Sequence, residues 1–178
     1  MRAVELDPFS PSAYTELGQV LSFAGRTEEA QELYEKALQL DPDFYWAQWL
    51  LAEFYIAKGE YQIAGPYMER IRRNFDITPP SVVGLLGHLY AIAGRHDDAR
   101  AILSKLLDRR ETQFIPASAL AYIYLGLEDY ESTLAWLEVA YEERNYQLTW
   151  LNQDYLFNGL RDDPRFQEIL ARMNFPEP

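Results

Sequence analysis

The amino-acid sequence predicts an all-α fold, a right-handed superhelical solenoid of antiparallel helix pairs with about four repeats and a C-terminal capping segment. Three ladders in the sequence predict it. Gly18, Ala52, Gly87 and Ala121 recur at spacings of 34, 35 and 34 residues. Larger residues keep the same register, in Leu17, Leu51, Leu86 and Leu120 and in Leu21, Tyr55, Tyr90 and Tyr124. So do Ala30, Ala64, Ala99 and Thr133, and Gly25, Gly59 and Gly94, where Glu128 stands in the fourth place. A period near 34 is the mark of stacked helical pairs. Such stacks offer an extended concave surface, and binding is their common use.

The elements follow in chain order. Residues 1–10 read as the last turn of a truncated preceding repeat and a linker. Leu6-Asp7-Pro8 repeats as Leu40-Asp41-Pro42, and in the second copy the tripeptide closes a helix that Pro42 stops. Arg2–Glu5 is therefore expected to end a helix whose beginning is missing. An excised array and an unusually short leading helix both account for this. A cut end would expose apolar surface through which copies of the chain would self-associate.

Residues 11–44 form the first repeat, 45–79 the second, 80–113 the third and 114–147 the fourth. In the first, one helix is expected from about Ser12 to Ala24, a turn at Gly25-Arg26-Thr27, and a second helix to about Leu40. Thr27 is expected as its N-cap, with Glu28 and Glu29 set against the helix dipole. Small residues at Gly18, Ala30 and Ala37 suit helices whose axes approach within about 8–10 Å. In the second repeat Pro66 falls inside the expected helix, predicting a kink or a delayed start there.

This pattern resembles the tetratricopeptide repeat family. Its aromatic, Leu-Gly, Tyr, Gly, Ala, aromatic, Ala and Pro positions are met by Tyr14, Leu17-Gly18, Leu21, Gly25, Ala30, Tyr34, Ala37 and Pro42. The second and third repeats match through Leu51-Ala52, Tyr55, Gly59 and Ala64, and through Leu86-Gly87, Tyr90, Gly94 and Ala99. The fourth is looser, with Glu128 and Thr133 replacing the expected Gly and Ala.

Residues 148–178 break the period. Trp150, Leu151, Tyr155, Leu156, Phe157 and Leu160 give Leu148–Leu160 enough apolar surface to pack on the fourth repeat. Asp162-Asp163-Pro164 opens a helix expected from Pro164 to Met173, burying Phe166, Ile169, Leu170 and Met173. This ending resembles the closing segment of repeat arrays in modular bacterial proteins, where an array follows a signalling or DNA-binding domain. That likeness implies a natural C-terminus and a bacterial parent.

The resemblance implies that the first helices line the concave face. Their stripe at helical spacing runs through Trp46, Trp49, Glu53 and Ile56 in the second repeat. In the first repeat it runs through Ser12, Thr15, Gln19 and Ser22, flanked by Phe23 and Phe44. In the third it includes His88, with Ile92 beside it, and in the fourth Tyr122 and Leu125. The candidate partner-binding residues are thus Phe23, Phe44, Trp46, Trp49, Glu53, Ile56, His88, Ile92, Tyr122 and Leu125. Two readings of Trp46 and Trp49 stand side by side. They are partly core, or they form an anchor pocket for a partner. Chaperone-tail binders of the family clamp carboxylates with Lys and Asn in this groove. Neither residue occupies the stripe, so an apolar or aromatic protein segment is the expected partner.

Composition narrows the function. The 28 acidic and 16 basic residues give a net charge of -12, which opposes binding to nucleic acid and to anionic membranes. Residues 1–44 carry nine acids against three bases, and residues 114–147 six against one. These acidic ends either steer a basic partner or only keep the chain in solution. Cysteine is absent, which removes disulfides and thiolate sites and suits a cytoplasmic setting. The most apolar runs, Ser81–Gly94 and Phe114–Leu127, fall short of the ~20 residues that span a bilayer.

No catalytic or metal-binding residues and no cofactor are assigned. His96-Asp97-Asp98 points in several directions at a helix start and reads as capping acids. His88 has no nucleophile beside it and reads as a packing or hydrogen-bonding residue. Arg70, Arg72 and Arg73 read as a solvent-exposed patch rather than a phosphate site. The expected function is a non-enzymatic protein-interaction scaffold. The alternative is a regulatory or self-associating domain controlling an attached bacterial signalling or DNA-binding module.

Overall fold

A computed structural model describes residues 2–73 and 78–175, with side chains described from residue 4. The chain divides into two compact units at Thr78–Pro79.

The N-terminal unit holds α1 (Arg2–Leu6), α2 (Pro11–Phe23), α3 (Thr27–Leu40), α4 (Tyr45–Ala57) and α5 (Tyr61–Arg73). Helix α2 packs on α3 and α4 on α5, and α3 joins the pairs by packing on α4. The small rungs of the ladder sit where they are sterically required. A Cβ on Gly18 would lie 2.5 Å from the Tyr34 ring, so that ring occupies the space a side chain would need. Ala30, Ala37, Leu51, Ala52 and Ala64 are buried, and Met68 and Ile71 complete the α5 face.

The C-terminal unit holds α6 (Pro80–Ile92), α7 (His96–Arg110), α8 (Ala117–Gly126) and α9 (Tyr130–Glu142). Two 3-10 turns, Tyr146–Trp150 and Tyr155–Leu160, then lead to α10 (Pro164–Met173). Helix α6 packs closely on α8: a Cβ on Gly84 would lie 2.4 Å from the Ala119 carbonyl. Leu86, Tyr90, Ala99, Leu106, Leu120 and Ala121 form the core of these pairs. Phe157 stacks on Phe166 at 5.8 Å, and with Leu134, Leu137, Leu160 and Ile169 they close the end of the unit.

One turn geometry repeats along the chain. In the first pair the Gly25 amide donates to the Ser22 carbonyl and the Arg26 amide to that of Leu21, the reciprocal C-cap of a helix ending in a left-handed residue. The pattern returns at Gly59, Gly94, Glu128 and Arg144. Glu128 has φ 60° and Arg144 φ 54°, so both adopt the glycine conformation without being glycine. The loss of glycine from the fourth rung changes the residue and keeps the turn.

Several local expectations are corrected. Thr27 is the first residue of α3, not its cap, and Arg26 holds the cap position without a side-chain bond. The turn feeds directly into the helix, leaving Thr27 to donate to Glu28 and Arg26 to pair with Glu29. Helix α5 starts at Tyr61 and runs through Pro66, so the start is not delayed; at that depth proline removes one helical donor. Trp150 does not pack: it is 64% exposed, and Leu148 and Leu151 take the buried places. Thr133 fits an alanine rung because its hydroxyl donates to the Asp129 carbonyl one turn back. Helix α10 spans Pro164–Met173 as expected, with the Asp163 carboxylate accepting from the Arg165 and Phe166 amides.

Candidate functional site

The predicted residues fall into two groups, one in each unit. In the N-terminal unit, Trp46 and Trp49 both project from α4 and stack with ring centroids 5.0 Å apart. Trp46 is half-buried, and its indole donates to the Gln19 side chain of α2 at 3.3 Å. Trp49 is 6% exposed, and its indole N–H is buried with no acceptor among the described residues. Ile56 is buried, while Phe44 and Glu53 are half-buried. Phe44 stacks on Tyr45 at 6.0 Å, and Phe23 lies largely exposed at the end of α2. The Tyr34 hydroxyl is pushed up to about 12 by burial and by the Glu53 carboxylate, so it stays a neutral donor. A separate cavity of about 340 Å³ lies on the second helices, lined by Glu35, Pro66, Tyr67 and Arg70.

In the C-terminal unit, His88 is 4% exposed. Its Nδ1 lies 3.0 Å from the Tyr122 carbonyl. A carbonyl only accepts, so the proton sits on Nδ1 and Nε2 keeps its lone pair. Burial holds the ring's pKa down to about 4, against the opposing pull of that hydrogen bond. Leu125 is buried and Ile92 is exposed. The Tyr122 hydroxyl donates to Asp154 at 2.7 Å. Asp154 also accepts from the Leu156 amide, while burial raises its carboxyl above the ordinary range.

His88, Ile92 and Leu125 open onto a cavity of about 570 Å³. Its other walls include Glu128 from the turn after α8, Tyr130 from the start of α9, His96 from α7, and Tyr155, Leu156 and Gly159 from the closing segment. The helical stripe found the inner wall of this cavity, His88, Ile92 and Leu125, and missed the rest. Its outer wall comes from turns and from a segment outside the repeat period, which no spacing rule selects.

A second unpredicted feature positions these helices. No side chain of its own N-cap residue serves the start of α8. Glu143 accepts from the Ala117 amide, and Asn145 accepts from the amide and hydroxyl of Ser118. Arg110 of α7 pairs with Glu143 and donates to the Ile115 carbonyl. The first two amides of α8, orphaned by the helix start, are thus satisfied from the end of α9 and the turn after it. Among the described residues no group of three or more acidic or histidine side chains could hold a metal ion, and no helix is long and apolar enough to cross a membrane.

Stacked helix pairs of this register place the chain in the helical-repeat class. Residues 3–75 match one family model for the tetratricopeptide repeat, and residues 80–105 match another. The chain therefore carries tetratricopeptide repeats. It is 30% identical over 129 residues to human cilia- and flagella-associated protein 70, covering 70% of this chain and 11% of that protein. It is 25% identical over 132 residues to anaphase-promoting complex subunit 3 of fission yeast, covering 74% and 20%. The chain thus spans a small fraction of the length of either. Among solved structures it is similar to YrrB, a TPR protein with an unusual peptide-binding site. The TM-score is 0.52 at 19% identity, covering 96% of this chain and 88% of that one, a likeness of fold.

Proposed function

We propose that this chain is a non-enzymatic protein-interaction scaffold that holds an apolar or aromatic peptide segment against its first helices. The observation that carries the reading is the Trp46–Trp49 stack. Trp46 presents part of its ring to solvent while Gln19 and Trp49 hold it in place. A large side chain fixed before binding loses little further entropy on contact, and tryptophan is over-represented among residues that dominate binding energy. Glu53 is the one charged residue among the six candidates of this unit, which suits an apolar ligand. The peptide-binding site of YrrB is in keeping with such a use of the fold.

Burial separates the two tryptophans in any test. Truncating Trp49 would open a cavity costing about 3–5 kcal/mol, so its loss would confound folding with binding. Trp46→Ala is the informative change. Peptides selected from a randomised library on the parent chain should be rich in Trp, Phe, Tyr or Leu. They should bind the Trp46→Ala chain at least tenfold more weakly, a loss of about 1.4 kcal/mol or more, with the far-UV helix signal intact. Selection of no such peptides, or unchanged binding to Trp46→Ala, would sink the proposal.

A second reading rests on a separate observation. Leu6, Phe9, Val20 and Phe23 are 62–79% exposed, and large apolar side chains left in water favour association. We propose that the chain also self-associates through them.

A further inference from the structure

We propose that the 570 Å³ cavity of the C-terminal unit takes the cationic head of an arginine or lysine side chain of a peptide. This rests on the reading that the partner is a peptide, and adds a charge requirement that the apolar stripe lacks. The first argument is the wall itself. Glu128 lines the cavity and neither lysine nor arginine does. The nearby cations are turned elsewhere: Arg95 sits over the Tyr90 ring at 4.2 Å and pairs with Asp98, and Arg161 donates to the Leu151 and Asp154 carbonyls.

The second argument is the field of the helices. Helices α6 and α8 both end at this cavity, through Ile92 and Gly126, and neither has a basic residue in its last turn. Their last carbonyls are met by the turn amides, and no basic side chain of either last turn adds to that, so the ends stay negative. The positive ends of α7 and α9 start beside them, but Asp97 and Asp98 already stand in the first turn of α7, and Asp129 and Glu131 at the start of α9. Asp97 and Asp98 are themselves paired with Arg100 and Arg95, so Glu128 and the two helix ends are what favour a cation here.

The third argument is the set of acceptors. His88 is almost wholly buried and neutral, with Nδ1 committed to the Tyr122 carbonyl, so Nε2 is left as the ring's acceptor. Tyr130 and Tyr155 add two half-exposed rings to the wall, and aromatic faces attract guanidinium and ammonium groups. The second histidine of the lining, His96, is exposed at the start of α7. A carboxylate ligand would meet Glu128 and two helix C-termini, and is disfavoured by them.

The test uses the full chain and three small probes: acetyl-arginine, acetyl-glutamate and acetyl-leucine N-methylamides. Amide signals of Gly94, Gly126 and Gly159, which line the cavity, are followed by ¹H–¹⁵N NMR. The arginine probe alone should move them saturably. Its affinity should fall about three-fold or more in Glu128→Gln and fall again with added salt, as for a partly exposed charge interaction. Equal shifts with the glutamate or leucine probe, no saturation, or an unchanged affinity in Glu128→Gln would each overturn the assignment. Trp46→Ala should bind the arginine probe as the parent does. A failure at Trp46 and a failure at this cavity are therefore read separately.

Discussion

At the scale of the residue, His88 shows how burial turns a titratable side chain into a fixed polar part. The ring lies between α6 and α8, where a Cβ on Gly126 would come within 2.9 Å of its Nδ1. On that side the ring is packed against backbone, and its burial leaves an imidazolium poorly hydrated. Its pKa falls from 6.5 to about 4, and this has a defined consequence for stability. Between those values the unfolded chain binds a proton at His88 and the folded chain does not. Stability is therefore fully present above pH 6.5 and is lost as pH falls towards 4, by up to about 3 kcal/mol. Asp154 works in the opposite direction, since burial raises its carboxyl and protonation at low pH relieves that cost. Comparing the parent with His88→Gln isolates the histidine. Urea unfolding at a series of pH values from neutral to 4 should give the variant a shallower acid loss, by about one proton. Identical pH slopes would contradict the assignment.

At the scale of the element, the turn after each first helix is the recurring device, and Glu128 is its strained copy. Gly25, Gly59 and Gly94 have φ of 77°, 74° and 76°, whereas Glu128 holds φ 60°. A side chain in the left-handed region costs about 1–2 kcal/mol. Glycine there returns part of that through the greater freedom of the unfolded chain. Glu128→Gly should stabilise the chain by about 0.5–1 kcal/mol in chemical denaturation, while weakening the arginine probe. A residue that strains its turn and carries the charge of a site fits the trade of stability against function. The ladder made the helix pairs legible because its small rungs mark steric contacts, as at Gly18 under Tyr34 and at Gly87, where a Cβ would lie 2.7 Å from Ile123. It could not separate accessible from buried members of the stripe. Trp46 and Trp49 share one periodicity, yet only Trp46 stays partly exposed. Nor could it find Glu143 and Asn145 serving the start of α8, or Tyr155 closing the cavity. Those contacts join residues with no common register, and packing alone brings them together.

At the scale of the whole molecule, charge and apolar exposure give two associations opposite responses to salt. The first 44 residues carry nine acids and three bases, and Leu6, Phe9, Val20 and Phe23 stand exposed among them. Two copies meeting through these side chains bring like charge together, so added salt, by screening the repulsion, should strengthen the contact. The cavity beside Glu128 should respond the other way, because salt screens an attraction. Sedimentation equilibrium across two decades of concentration, at low and at moderate salt, should therefore show mass rising with both concentration and ionic strength. Replacing Val20 and Phe23 by Gln should return the chain to a monomer at little cost in folding, since exposed positions tolerate substitution within about 0.5 kcal/mol. A monomer at every concentration and salt level would rule the self-association out. Association that weakens with salt would assign it to charged contacts instead of these apolar ones.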